Sequence, residues 1–342
     1  MAGNDSYKVF KVYLRPFGYY TSTLPSYTVF GALCWALRYL NGEEKLKEFL
    51  DEVKSGSLFL SSLMPVVGEE EYLFRPLLKP KKIKKRSSES DSEFRSFVKK
   101  FKKTKFLRRD VVEKVLKGEI KDEAALAEEF RGKENPASAF FNLDSLPHAK
   151  IDRLAGSTTL GGEFYFEESY YCRFGGSPEE RELKLYFLVA TREEELFKNL
   201  LLPAVRLLED WGIGGNRSIG FGSFEFLDYK VDGEFSDHFL PPGQPGRFLT
   251  LSPLLPTRAL NYSDSYYDAK PFTGAYDSPY LVNEGLASKL WKDKVFTLLE
   301  GSVLVRKEGF KTAGKLYSQG GEDPRYHYLL EFPLRIEEEK DV

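Results

Sequence analysis

Three histidines, His148, His238 and His327, are the side chains of this 342-residue sequence whose ordinary pKa suits proton transfer near neutral pH. His238 lies in the linker-like DHFLPPG and His327 in the strand-like YHYLLEF, so both read as structural. His148 stands in HAKIDRLAG beside Lys150, Asp152 and Arg153, where it suits phosphate binding as well as proton shuttling. An Asp152–Arg153 ion pair is the simplest use of that carboxylate. No Asp-Asp or His-Asp pair suggests a metal site, and Cys34 and Cys172 have neither C-x-x-C nor histidine spacing. The residues therefore offer no complete catalytic set, and no metal or cofactor is expected.

A different chemistry is available at WGIGGNRSIGFGSFEF, where Gly212, Gly214, Gly215, Gly220 and Gly222 fall within eleven residues. Without a Cβ, backbone N–H groups approach an anion closely and φ can turn positive. A Walker loop or a dinucleotide fingerprint follows a strand and opens a helix. Here the loop follows a helix pattern and opens a strand, so neither motif fits. Arg217, flanked by Asn216 and Ser218, suits the phosphate oxygens of a chain-like ligand. The competing reading is a long helix-to-strand turn whose glycines only permit tight packing.

The elements that must position these residues can be traced from the N-terminus. YKVFKVYLR at 7–15 has strand composition. Ser26 is expected to cap a helix with the stripe Phe30, Leu33, Leu37 and Leu40, ended by Asn41-Gly42, and Leu46, Phe49, Leu50 and Val53 mark a second short helix. Residues 110–131 read as helical, 162–174 as a strand, and LKLYFLVA at 183–190 as another. Thr191 with Glu194 suggests a capping box for the next helix, and Pro203 predicts a break inside it. SFEFLDY at 223–229 is the last strand. The order strand, helix, strand, strand, helix, strand is that of a ferredoxin-like unit, a framework common among RNA-binding domains.

The fold class expected is thus α+β with two ferredoxin-like domains. The first spans 1–232 and carries a large helical and basic insertion at about 66–155 and the glycine-rich loop 212–222. The second, degenerate domain spans 233–342, where Pro, Gly, Ser and Tyr accumulate before the strand-like KVFTLLEGSVLVRK and YHYLLEFPLRI. With 42% hydrophobic residues the chain can fill two cores, and with no apolar run near the roughly 20 residues of a membrane helix the expected location is cytoplasmic. Abundant Lys and Glu with two Gln, two Cys and two Met lean towards a hyperthermophile.

A net charge of -2 argues against an unspecific nucleic-acid binder, but charge is unevenly placed. Between Lys79 and Arg109 lie 14 Lys or Arg against 3 acids, a net +11. Its opening, KPKKIKKRSSESDSEF, reads as a mobile insertion before a helix around Phe94, Phe97, Val98 and Phe101. Lys81, Lys82, Lys84, Lys85 and Arg86 form a basic patch that either meets RNA or is simply solvated.

G-I-G-G-N-R-S-I-G-F-G between a helix and the final strand of such a unit resembles the signature loop of the RAMP proteins of CRISPR systems. SYTVFGALCWAL at 26–37, SGSLFLSSLMP at 55–65 and HAKIDRLAGSTTLGGEFYFEESYYC at 148–172 narrow the likeness. They resemble the RAMP subunit that caps the 5′ end of the guide RNA in type III-A (Csm) effector complexes. The likeness covers residues 7–65 and 148–229.

It implies a non-catalytic subunit that grips the 5′ handle of the crRNA and touches the large polymerase-like subunit and the first backbone RAMP subunit, in antiviral defence. By position, Gly212, Gly214, Gly215, Asn216, Arg217, Ser218, Gly220 and Gly222 would hold the handle, with His148, Lys150 and Arg153 near the RNA. Residues 162–174 would form a hairpin that wedges into the guide. Its aromatics Phe164, Tyr165, Phe166, Tyr170 and Tyr171 suit stacking on splayed bases, although at least half of such strand aromatics are expected to face a core. RAMP relatives also include metal-independent ribonucleases that cut repeat RNA. The alternative function is therefore an endoribonuclease that uses His148.

Overall fold

The computed structural model describes residues 6–133, 135, 141–149, 151–152, 155, 157–158, 164–172, 183–276, 291–319 and 325–338. The strands of the first two-thirds are β1 (Lys8–Pro16), β2 (Tyr19–Tyr20), β3 (Leu58–Leu60), β4 (Met64–Val67), β5 (Glu70–Phe74) and β6 (Phe106–Arg108), then β7 (Phe141–Ala149), β8 (Ile151–Asp152), β9 (Ser157–Thr158), β10 (Phe164–Cys172), β11 (Leu183–Thr191) and β12 (Phe224–Asp232). The helices are α1 (Ser26–Ser55), α2 (Asp91–Lys103), α3 (Arg109–Leu116), α4 (Glu123–Phe130), α5 (Glu194–Leu196), α6 (Leu202–Trp211) and α7 (Gly233–His238). β13 (Gly246–Thr250), β14 (Ala269–Phe272), β15 (Val295–Leu298), β16 (Val303–Arg306), β17 (Gly314–Gln319), β18 (Arg325–Leu330) and β19 (Pro333–Arg335) complete the chain.

The main sheet runs β12-β1-β11-β4-β5-β6, with β3 also paired to β11, and its described pairs are antiparallel. β1 sits between β11 and β12, and α1 and α6 pack against each other over one face. Phe10, Val12 and Leu14 of β1 are buried beneath them, and Phe10 stacks on Phe197 with ring centroids 4.1 Å apart. Each large apolar side chain buried this way contributes about 1.5–3 kcal/mol.

The helix pattern holds where a backbone reason enforces it. α1 breaks at Gly42, whose φ of 81° and ψ of -178° are not helical, and the second stripe then runs to the left-handed cap at Gly56. Before Pro203 the chain winds as a π-helix over Phe197–Leu201, and the proline stands at the start of the α-helical winding of α6. Residues 110–131 form two helices, α3 and α4.

Three local expectations are corrected. The second framework strand is not 162–174 but the buried segment of β3 and β4, which pairs with β11 directly after α1. A strand buried on both faces lacks apolar–polar alternation, so LFLSSLMPVV did not advertise itself. Ser26 is the first residue of α1, not its cap, which is Pro25; the Ser26 N–H donates to Ser62 Oγ at 2.9 Å. Thr191 forms no capping box either: its hydroxyl accepts from the Glu193 N–H at 3.1 Å, and Glu193 is the cap residue.

The other face of β1 is covered by polar contacts. Lys11 Nζ lies 2.6 Å from Glu71 and 2.8 Å from Asp232, and the Arg109 guanidinium of α3 reaches Asp232 at 2.6 Å and Glu71 at 2.8 Å. Burial opposes ionisation of Asp232, yet the Arg109 and Lys11 hydrogen bonds outweigh it and hold the carboxyl down at about 2. β1, β5, α3 and β12 are thereby clamped together.

The principal core continues beyond residue 233, because Leu249, Leu251, Val303, Tyr328, Leu330 and Leu334 join it. Tyr328 accepts from the Leu60 N–H at 2.7 Å and ties β18 to β3. A smaller cluster around Leu240, Phe248, Leu260 and Leu304 is closed by the fully buried pair Arg306–Glu331, 2.6 Å apart, with Arg306 also donating to the Pro241 and Gln244 carbonyls. Among the described residues no helix is long and apolar enough to cross a membrane, and no group of three or more His, Cys, Asp or Glu could hold a metal ion.

Candidate RNA-binding site

The glycine loop folds as a backbone-built cradle between α6 and β12. Gly212, Gly214, Gly220 and Gly222 have φ of +75°, +99°, +89° and +74°, and Asn216 is also left-handed at +57°. The N–H of Ile213 donates to the Gly222 carbonyl at 2.9 Å, and the N–H of Gly222 donates to the Tyr19 carbonyl at 2.8 Å. The two ends of the loop thus close on each other and on β2. A Cβ on Gly222 would lie 2.1 Å from the Ile213 carbonyl oxygen, so no other residue fits. Arg217 opens a 3₁₀ turn, Arg217–Ile219, and its half-buried position borders Ser218, Ile219 and Gly220, which are exposed.

A second element meets the loop. β7 and β10 form a long antiparallel hairpin, and β10 pairs on its other side with β2 through Tyr170–Tyr20 and Tyr171–Tyr19. The hairpin therefore has its arms at 141–149 and 164–172, not within 162–174, and His148 lies on a strand opposite Tyr165 instead of in a polar loop. Pro147 concealed this strand in the sequence; β7 is an edge strand, where a missing N–H is tolerated.

Glu167 joins the two elements. Its Oε1 accepts from Asn216 Nδ2 at 2.8 Å, while its Oε2 lies 3.4 Å from His148 Nε2. The His148 ring stacks on Tyr165, with centroids 5.2 Å apart and planes at 14°. Around the same junction Thr21 Oγ1 accepts from the Gly215 N–H at 3.1 Å, and the Tyr19 ring lies 4.9 Å from Tyr171 and 5.7 Å from Phe221. Burial, and the Asp144 carboxylate to which it donates, raise the Tyr19 hydroxyl pKa.

The predicted residues divide accordingly. The loop reaches His148 through Asn216 and Glu167; Gly215, Ser218 and Gly220 are exposed, Gly214, Asn216 and Arg217 half-buried, and Gly212 and Gly222 buried. Phe164, Tyr165 and Phe166 are exposed, whereas Tyr170 and Tyr171 are half-buried against β2. Lys150 and Arg153 lie outside the described residues. Of the basic patch, Lys81 pairs with Asp122, Lys85 with Asp91, and Arg86 with Glu128, which leaves Lys82 and Lys84 as its exposed cations without a carboxylate partner among the described residues. His238 ends α7, and His327 is buried between Phe272 and Tyr317, where burial pushes its pKa down to about 4. Glu167, Tyr19 and Thr21 had no sequence signal, because their role comes from pairings that the chain order does not reveal.

Against known proteins, the model of the RAMP superfamily matches residues 15–225, more than half of the chain. The chain belongs to the RAMP superfamily. This RAMP protein is 27% identical over 254 residues to the CRISPR system protein Csm4 of Thermococcus onnurineus (strain NA1), covering 73% of this chain and 76% of that one. Its fold matches a chain of the crystal structure of a Csm1–Csm4 cassette in complex with cA4, at a TM-score of 0.58 and 22% identity, over 96% of this chain and 98% of that one. It also matches a chain of the Csm3–Csm4 subcomplex of a type III-A CRISPR-Cas interference complex, at 0.58 and 18%, over 96% and 100%. The RAMP match begins at the end of β1 and closes just after the glycine loop, so it contains both halves of the candidate site.

Proposed function

We propose that this protein is the Csm4-type subunit of a type III-A CRISPR complex, an RNA-holding component without catalysis. It grips the 5′ handle of the crRNA and bridges a large polymerase-like subunit to the backbone RAMP filament, in the cytoplasm. In this reading β1, α1, β3–β4, β11, α6 and β12 are one ferredoxin-like unit, and the strands after residue 233 are a degenerate second one. The observation that supports it best is the Glu167 carboxylate between Asn216 and His148. It fixes the loop, which presents Arg217 and bare backbone to phosphate, against a hairpin with three exposed aromatics for bases. Likeness to Csm4 over three-quarters of the chain agrees with that assignment.

The His148 ribonuclease remains the second reading, since an imidazole beside a carboxylate is a usable acid–base pair. Its Nε2, however, is shielded from solvent and has no hydrogen-bond partner among the described residues. One incubation separates the readings: labelled guide RNA with its natural or a shuffled 5′ handle, followed by anisotropy and a denaturing gel. Handle-selective binding with intact RNA is expected. Cleavage that disappears in His148→Ala would establish the ribonuclease instead.

A further inference from the structure

The insertion holds a surface that the glycine-loop site does not use. α2 opens with a complete capping box, in which the Ser90 hydroxyl accepts from the Glu93 N–H and the Glu93 carboxylate accepts from the Ser90 N–H. Phe97 and Phe101 face Phe130 and the rest of the core, and Arg131 lies over the Phe97 ring. At 100° per residue, Arg95, Lys99, Lys102 and Lys103 then fall on the opposite side, with Lys100 at its margin. All five are exposed, and none has a carboxylate partner among the described residues. The two acids of the helix are spent in its first turn, Asp91 on Lys85 and Glu93 in the cap.

Charge is segregated on the scale of the whole chain as well. Removing the Lys79–Arg109 segment leaves 36 cations against 49 acids, a net charge of -13, so the basic helix sits on an otherwise acidic protein. A face kept basic against that background attracts polyanions. Its composition also distinguishes among them. Protein interfaces are depleted in Lys and rely on buried aromatic or apolar anchors, and this face offers Lys, Arg and Ser alone. Lysines act as point charges that contact phosphate without reading bases, and no aromatic is present for stacking.

We infer that the outer face of α2 is a second, sequence-independent track for the phosphate backbone of nucleic acid, separate from the glycine-loop site. It adds affinity and salt dependence but no recognition of a handle.

The test uses the full-length protein and a labelled 20-nucleotide oligouridylate, which lacks any handle, titrated by anisotropy between 50 and 300 mM salt. In Lys99→Gln/Lys102→Gln/Lys103→Gln the slope of log K against log salt should shrink by about 2, with binding on the order of 10–100-fold weaker, because each lost single-strand phosphate contact changes it by about 0.7. The substituted residues are exposed, so the thermal melt should stay where it is. Lys45→Gln/Lys47→Gln/Lys54→Gln, exposed lysines of α1, should leave the slope unchanged. Single-stranded DNA of equal length should compete as well as RNA does.

The inference fails if the α2 variant keeps the wild-type slope or if the α1 variant loses as much. It fails equally if polyglutamate displaces the labelled RNA at lower charge concentration than RNA itself, which would mark an acidic protein partner. Because the probe has no handle, these outcomes do not depend on the glycine-loop assignment, and Arg217→Ala in the same assay shows which site the oligomer occupies.

Discussion

In the proposed reading the glycine loop and α2 would meet the same kind of ligand with opposite means. The loop is made of backbone: closed by Ile213–Gly222 and Gly222–Tyr19 hydrogen bonds, it carries one cation in eleven residues. α2 is made of side chains: its backbone satisfies itself, and five exposed cations would do the contacting. Geometry held by backbone fails at a single atom, whereas charge spread over a helix face fails gradually. The two regions should therefore respond very differently to single substitutions.

The largest effect is expected at Gly222. Gly222→Ala forces a left-handed residue and a clash with the Ile213 carbonyl, costing about 2 kcal/mol or more, a fall in Tm of at least about 3 °C by calorimetry. Gly220→Ala is the control: its φ is also positive, but nothing lies within 4 Å of the added Cβ, so it should cost only about 1–2 kcal/mol. Equal losses at the two positions would show that the loop is less closed than described.

The next effect separates the loop from the clamp behind it. Asp232 has a folded pKa near 2, below the unfolded value, so its stabilisation is complete above about pH 4 and is lost as pH falls from 4 to 2. Asp232→Asn should lower stability at pH 7 by about 2 kcal/mol and flatten the decline between pH 4 and 2, read by denaturant unfolding at each pH. A parallel decline in both proteins would remove Asp232 from the account. Smaller again, Arg217→Ala should weaken handle RNA and reduce the salt slope by about 0.7, and Lys99→Gln alone should do the same for oligouridylate without touching handle selectivity.

What the sequence disclosed follows the same division. Features written in one local stretch were legible: the break at Gly42, the interruption before Pro203, the stripe of α1 and the glycine loop itself. Features that depend on pairing were not. β3 and β4 are apolar throughout and show no alternation, so the aromatic stretch 162–174 reads as the strand in their place, although its residues 164–172 belong to the hairpin with β7 and β2. Glu167 is one of two adjacent glutamates in FEESYY, and only the register His148–Tyr165 explains why it is the one that meets Asn216. Lys81, Lys82, Lys84, Lys85 and Arg86 read as the basic patch, but acids from α2 and α4 and the Asp122 cap occupy three of them, and the larger set of exposed cations without a carboxylate partner among the described residues lies on α2.

The central claim is that loop and hairpin act on the crRNA handle as one unit through the Asn216–Glu167 contact. A double-mutant cycle of Asn216→Ala and Glu167→Ala, read as handle-RNA affinity at fixed salt, tests it most directly. Coupling of about 0.5–3 kcal/mol between the two substitutions is the predicted result, as expected of residues in contact. Strictly additive losses, or no loss from either, would contradict it.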